Sequence, residues 1–204
     1  MIRTTRIRVF LTGVGGQGTL TATKVLAQAA LDEGLDVTAG EVHGMAQRGG
    51  VVESTVLIGG YQSPRIAHGE AHLLLGFEPL ETLRALPYLA PGGIVVSSSE
   101  AIMPMSVARG KESMPPFEDI EALARACAEA VHFVPAISLG VQAGASQAAN
   151  MILLGALCAV GRMPFGLSRL AETIKTTMAP RLHDVNIKAI QLGAQAVCVD
   201  NSDK

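Results

Sequence analysis

"RIRVFLTGVGGQG", residues 6–18, decides the fold. This β-branched and apolar run stops on glycines. The segment after it, "TLTATKVLAQAALDEG" (19–34), places apolar residues at helical spacing and ends at Gly34. Together they read as strand, glycine turn and helix, the opening unit of an α/β sheet. Working outward, "LDVTAG" (35–40) supplies a second strand. "VVESTVLIG" (51–59) alternates apolar Val52, Val56 and Ile58 with polar Glu53 and Thr55, the pattern of a third, half-exposed strand. "EAHLLLGF" (70–77) is apolar without alternation, as expected of a buried parallel strand.

The same alternation continues to the C-terminus. "EPLETLRALPYLAPGG" (78–93) opens as a short helix and is interrupted at Pro87, and "GIVVSSS" (93–99) is the next strand. From Ser97 to Asp119 periodicity is lost and Pro104, Pro115 and Pro116 accumulate, which predicts an excursion or partner-facing loop over 97–119. "IEALARACAEA" (120–130) reads as a helix, "VHFVPA" (131–136) as a strand, and "SQAANMILLGALCAVG" (146–161) as a helix apolar nearly all round, hence central. "SRLAETIKTTM" (168–178) and "RLHDVNIKAIQLGAQAV" (181–197) are helices joined across Pro180. The expected fold is α/β: a doubly wound, mostly parallel sheet with a glycine-rich first strand–helix turn and a helical C-terminal segment.

Composition narrows the function classes. With 204 residues, 49% of them hydrophobic, the chain can bury a substantial core as one domain or as one domain with an appendage. Sixteen Lys and Arg against eighteen Asp and Glu give a formal charge of −2, and no basic run proposes a nucleic-acid face. The N-terminal "MIRTTRIRVF" lacks the apolar core of a secretory signal. The most apolar run, "MILLGALCAV" (151–160), falls short of the roughly 20 residues that cross a bilayer. A cytoplasmic protein with no membrane partner is expected. Cys127, Cys158 and Cys198 lie far apart in apolar surroundings, as buried reduced thiols would. A cubane iron–sulfur cluster takes four thiolates and the chain has three cysteines, so it holds no such cluster by itself, and no metal site is expected.

The candidate site residues fall in two stretches. Gly13, Gly15 and Gly18 fit G-x-G-x-x-G directly after a strand, with Gly16 as an extra glycine. Such a turn lets a backbone approach a ligand closely, and the free N–H groups of the helix start attract a phosphate or carboxylate; tight strand-to-helix packing selects glycine equally well. Gln17 can bond a ligand or a neighbouring chain, or simply face solvent. The second stretch, "EVHGMAQRGG" (41–50), follows the second strand on the same rim of the sheet, where open α/β sheets place ligands. There Glu41 is placed to hold a ribose hydroxyl, and His43 is either a general base or a hydrogen-bonded structural residue. Arg48 is a carboxylate or phosphate clamp or an interface ion pair, Gln47 adds an amide, and Gly49 and Gly50 admit a close neighbour. No nucleophile elbow, HExxH or Walker lysine is present, and His68 and His72 precede a strand rather than share a helix face. A catalytic residue set is therefore absent from this chain alone. A stand-alone NAD(P)-binding module or dehydrogenase, built on Gly13, Gly15, Gly18 and Glu41, stays open as the alternative.

Beyond these motifs, "GVGGQGTLTATKVLAQAA" (13–30), "EVHGMAQRGGVVESTVLIG" (41–59), "AHLLLGFEPLE" (71–81), "ALPYLAPGGIVV" (85–96) and "QAANMILLGAL" (147–157) together resemble the gamma-type subunit of the 2-oxoacid:ferredoxin oxidoreductases. Within that family the wording "HGMAQRGG" and "LLGFEPLE" is closest to the small, beta-named subunit of the indolepyruvate enzymes. The resemblance runs in order from about residue 6 to about residue 195 and is weakest over 97–119. It implies a single pyruvate/ketoisovalerate oxidoreductase gamma-type catalytic domain over 1–204. It implies a thiamine diphosphate-dependent oxidative decarboxylation of an aryl 2-oxo acid to its acyl-coenzyme A, with electrons passed to ferredoxin. Thiamine diphosphate and iron–sulfur clusters are then expected on a large partner subunit, with coenzyme A as co-substrate, and this chain is inactive alone. His43, Gln47, Arg48, Gly49 and Gly50 become a docking and site-completing rim, and the helix start after Gly18 a candidate phosphate site. Two departures stand out: His72 replaces a common acid, and "AGASQAAN" (143–150) replaces a glycine–asparagine pair.

Overall fold

The computed structural model describes residues 6–43, 50–101 and 115–200. Among them, six strands form one sheet: β1 (Ile7–Val14), β2 (Val37–His43), β3 (Val51–Ile58), β4 (Ala71–Gly76), β5 (Leu89–Ser98) and β6 (Ala130–Val134), in the order β2-β3-β1-β4-β5-β6. β1, β4, β5 and β6 pair in parallel, whereas β3 runs antiparallel to both β1 and β2. The sheet is thus mostly parallel, with a hairpin at one edge. Among the described residues seven α-helices accompany it: α1 (Thr19–Asp32), α2 (Pro79–Ala85), α3 (Phe117–Cys127), α4 (Ala136–Ala143), α5 (Ala149–Ala159), α6 (Leu167–Thr177) and α7 (His183–Asp200).

Helices cover both faces, as the doubly wound expectation requires. One face packs Val9 and Leu11 of β1, Val56 of β3 and Leu73 and Leu75 of β4 against α1, α5, α6 and α7. The other face buries Phe10, Leu57, Leu74 and Val95 beneath α2, α3 and the 3-10 turn Leu86–Tyr88. β4 is a strand buried on both sides, with Leu73, Leu74 and Leu75 all fully covered, which explains its unbroken apolar run. α5 is the most enclosed helix: every residue from Asn150 to Cys158 is buried. Each fully covered Leu or Ile there contributes roughly 1.5–3 kcal/mol relative to an exposed one, so α5 anchors the larger core.

Several expectations need correction. β2 extends to His43, so Glu41 and His43 belong to the strand and not to the loop after it. α4 was not expected, because "AISLGVQA" carries Gly140 in its middle and follows Pro135 without a polar cap. That glycine is selected by packing: a Cβ there would come within 3.0 Å of the Ala145 carbonyl oxygen and the Ala149 nitrogen. The 97–119 excursion is trimmed at both ends, since β5 runs through Ser98 and α3 starts at Phe117; 102–114 lies outside the described residues. Cys158 is buried, but Cys127 at the end of α3 and Cys198 on the outer side of α7 are exposed.

Candidate functional site at the carboxyl rim of the sheet

The glycine turn is built by three different demands. Gly13 is a packing glycine, because a Cβ there would sit 2.8 Å from the Phe77 Cβ and 2.7 Å from the Gln17 side-chain Oε1. Gly16, at φ +102°, has open space around it, so the residue is fixed by backbone conformation. Gly18 caps α1 in the left-handed region (φ 79°, ψ 23°), and no side chain caps the helix. A Cβ on Gly18 would also lie 2.5 Å from Asn150 Nδ2, which donates a 3.3 Å hydrogen bond to the Gly18 carbonyl. Asn150, at the start of α5, thereby ties the most buried helix to the turn.

Gln17 is held within the turn. Its side-chain oxygen accepts from the Val14 N–H at 2.8 Å, and its amide nitrogen donates to the Phe77 carbonyl at 3.2 Å, joining the ends of β1 and β4. The Gly15 N–H donates to the Gly50 carbonyl at 2.9 Å, linking the turn to the residue before β3. Together these bonds shape a cleft of about 380 Å³ bounded by Gly16–Gly18, Phe77, Ser98 and the starts of α4 and α5. At its border Glu100 accepts from the N–H groups of Ile137 (2.6 Å) and Ser138 (3.0 Å) and from the Ser138 hydroxyl. The positive end of α4 is therefore already met by a carboxylate of this chain.

A second polar group lies behind the cleft wall. Glu78 is fully buried and caps α2, one carboxylate oxygen accepting from the Glu81 N–H at 2.8 Å while the other has no partner. Burial raises the Glu81 carboxyl above its ordinary range, against the opposing pull of Arg84 at 2.6 Å. Thr82 and Ser97 share a 2.7 Å hydrogen bond beneath them.

Of the residues singled out in the sequence, Gly13, Gly15, Gly16, Gln17, Gly18 and Gly50 come together at this rim. Glu41 does not join them as a ribose-binding acid would. Its register partner is Ser54, which pairs in turn with Leu11, so β3 stands between Glu41 and β1. The dinucleotide arrangement needs the acid on the strand next to β1, and the antiparallel insertion of β3 removes it from there. His43 closes β2 opposite Val52. Gln47, Arg48 and Gly49 lie outside the described residues. Ser98, Ile137 and Asn150 were missed as cleft residues; only Asn150 left a trace, as the end of the atypical "AGASQAAN" stretch.

The donor set does not suit an iron–sulfur cluster. Cys127, Cys158 and Cys198 sit on three different helices, and burial pushes the Cys158 thiol up to about 12, away from the thiolate a metal needs. Among the described residues no three His, Cys, Asp or Glu side chains gather as metal ligands, and no helix is long and apolar enough to cross a membrane.

Comparison with known proteins agrees with this fold. The model of the pyruvate ferredoxin/flavodoxin oxidoreductase family matches residues 8–196. Indolepyruvate oxidoreductase subunit IorB of Archaeoglobus fulgidus is 37% identical over 188 residues, covering 92% of this chain and 94% of that protein. The gamma subunit of keto/oxoacid ferredoxin oxidoreductase from Geobacter sulfurreducens superposes with a TM-score of 0.69 at 21% identity, over 95% of this chain and 99% of that one. A 2-oxoglutarate:ferredoxin oxidoreductase from Magnetococcus marinus, solved with 2-oxoglutarate, coenzyme A and succinyl-CoA bound, has a TM-score of 0.71 at 15% identity; the match covers 96% of this chain and 31% of that one. With a family match over nearly its whole length and the gamma-subunit fold, this chain belongs to the pyruvate ferredoxin/flavodoxin oxidoreductase family.

Proposed function

We propose that this chain is the small subunit of an oxidoreductase that converts indolepyruvate and related aryl 2-oxo acids to their acyl-coenzyme A products and passes the electrons to ferredoxin. The observation that carries the reading is the end-to-end similarity to indolepyruvate oxidoreductase subunit IorB, at 37% identity. The chain acts as one gamma-type domain over 1–204 and completes a site whose reactive groups lie on a larger partner. Thiamine diphosphate on that partner supplies the carbanion chemistry of decarboxylation, and iron–sulfur clusters there carry the electrons. The absence of a fitting cluster donor set in this chain supports that division.

The chain's own residues shape and orient. Gln17 and Asn150 brace the glycine turn from two sides, so the cleft beside it is held open by hydrogen bonds within the fold. Coenzyme A enters through this cleft, and the rim from His43 to Gly50 docks against the large subunit. A preformed cleft lowers the ordering cost of binding and keeps bulk water away from the reacting end.

Co-expression with a large thiamine- and cluster-bearing subunit tests this. The isolated small chain is expected to be colourless and inactive, and the pair to reduce benzyl viologen with indolepyruvate and coenzyme A. Full turnover by the large chain alone would overturn the proposal.

A further inference from the structure

We propose that a second cavity, at the amino rim of the sheet and so at the opposite end from the glycine turn, binds a phosphate group, either free phosphate or the end of a small phosphomonoester. Arg6, Ile7, His72, Pro91, Gly92 and Arg162 line a volume of about 320 Å³ there. Arg6 and Ile7 lie at the start of β1, His72 near the start of β4, and Pro91 and Gly92 early in β5, while Arg162 stands in the connection from α5 to α6. Strands that pair in parallel bring their amino ends to one rim, so the topology gathers these cations from distant parts of the chain.

Charge is the first reason. Arg162 pairs with Glu129 at 2.8 Å, and Arg8, next along β1, stands 3.7 Å from Glu70. Arg6 forms no ion pair among the described residues. Its Nε and Nη2 donate to the Gly59 and Gly60 carbonyls, each at 3.2 Å, and its guanidinium lies 4.5 Å from the centre of the Tyr61 ring. Three arginines thus face two carboxylates, and the charge of Arg6 is positioned without being neutralised. Burial first, and then Arg8 and Arg162, hold the His72 imidazole below its ordinary range, so the field of the arginines reaches the cavity wall.

The donor set selects the shape of the anion. Because Nδ1 of His72 accepts the Arg8 N–H at 3.0 Å, the neutral ring carries its proton on Nε2. Arg6 keeps Nη1, and Arg162 keeps Nε and Nη1, without partners among the described residues. Neither guanidinium still has its Nε–Nη2 fork: Arg6 uses both nitrogens on carbonyls, and Arg162 uses Nη2 on Glu129. A planar carboxylate is best met by one intact fork. Single donors on three separate elements suit the spread oxygens of a tetrahedral anion. The volume is at the small end for ligand pockets, which fits a phosphate with few atoms attached.

The test is calorimetric titration of the full chain, at constant ionic strength in a phosphate-free buffer, with inorganic phosphate, glycerol 3-phosphate and acetate. Saturable phosphate binding is expected, with acetate at least tenfold weaker. Glycerol 3-phosphate binding more tightly than phosphate supports a phosphomonoester as the natural ligand, and equal or weaker binding supports free phosphate. Arg6→Gln and Arg162→Gln should each weaken phosphate at least tenfold. Arg181→Gln, on the exposed 3-10 turn Pro180–Leu182, removes the same charge elsewhere and should leave binding unchanged. Arg162 is exposed in a connection, so its variant decides the matter even if Arg6→Gln fails to fold. No saturable phosphate binding, acetate as strong as phosphate, or an equal loss in Arg181→Gln overturns the inference. No turnover is measured, so failure here leaves the proposed function standing.

Discussion

At His72 a side chain substitutes for a backbone partner. Its Nδ1 accepts from the Arg8 N–H at 3.0 Å, at the start of the β1–β4 pairing. Burial, and then the positive charges of Arg8 and Arg162, hold the imidazole below its ordinary 6.5. The neutral form is therefore favoured in the folded chain. Its stabilisation is complete above the unfolded value and is lost as pH falls through the lower folded value. The urea midpoint should drop between about pH 7.5 and about pH 5, and His72→Gln should make that drop smaller. Gly18 gives a second residue-scale expectation. An alanine there meets both a left-handed backbone and Asn150, so Gly18→Ala should cost about 1–3 kcal/mol in thermal denaturation. Adding Asn150→Ala should recover only the part due to the clash.

Between elements, two helix backbones come into direct contact where α5 crosses α7. A Cβ on Gly155 would run into the Ile190 carbonyl, and one on Gly193 would run into the Ile152 carbonyl, both far inside van der Waals contact. The two backbones touch through a reciprocal pair of glycines, and neither residue is needed for its conformation. In an ordinary helix Gly→Ala gains about 1 kcal/mol, but here overpacking reverses the sign. Gly155→Ala is expected to lose about 3 kcal/mol or more in urea denaturation, or to prevent folding. The sequence made the elements legible where periodicity is local: α1, β4 and α5 all stand where their apolar patterns put them. Strand direction was not legible. The alternation of Val52, Val56 and Ile58 gives a half-exposed strand but says nothing of its polarity, so the antiparallel place of β3 emerged only from its pairing. The glycine turn could be read because glycine's demands are local; Asn150, 132 positions beyond Gly18, could not, since only the packing of α5 brings it there.

For the whole molecule, the thiols separate by depth. Cys127 and Cys198 are exposed, whereas Cys158 is buried with its thiol pushed up to about 12. Two thiols of the native chain should react with a disulfide reagent, and the third only on unfolding; rapid reaction of all three would mean that α5 is loosely held. The sheet order has a wider effect. Because β3 is threaded between β2 and β1, the start of β3 stands beside the glycine turn, and the Gly15 N–H donates to the Gly50 carbonyl across the gap. Anything that settles beside the turn therefore bears on the same backbone hydrogen bond as anything that presses on the start of β3.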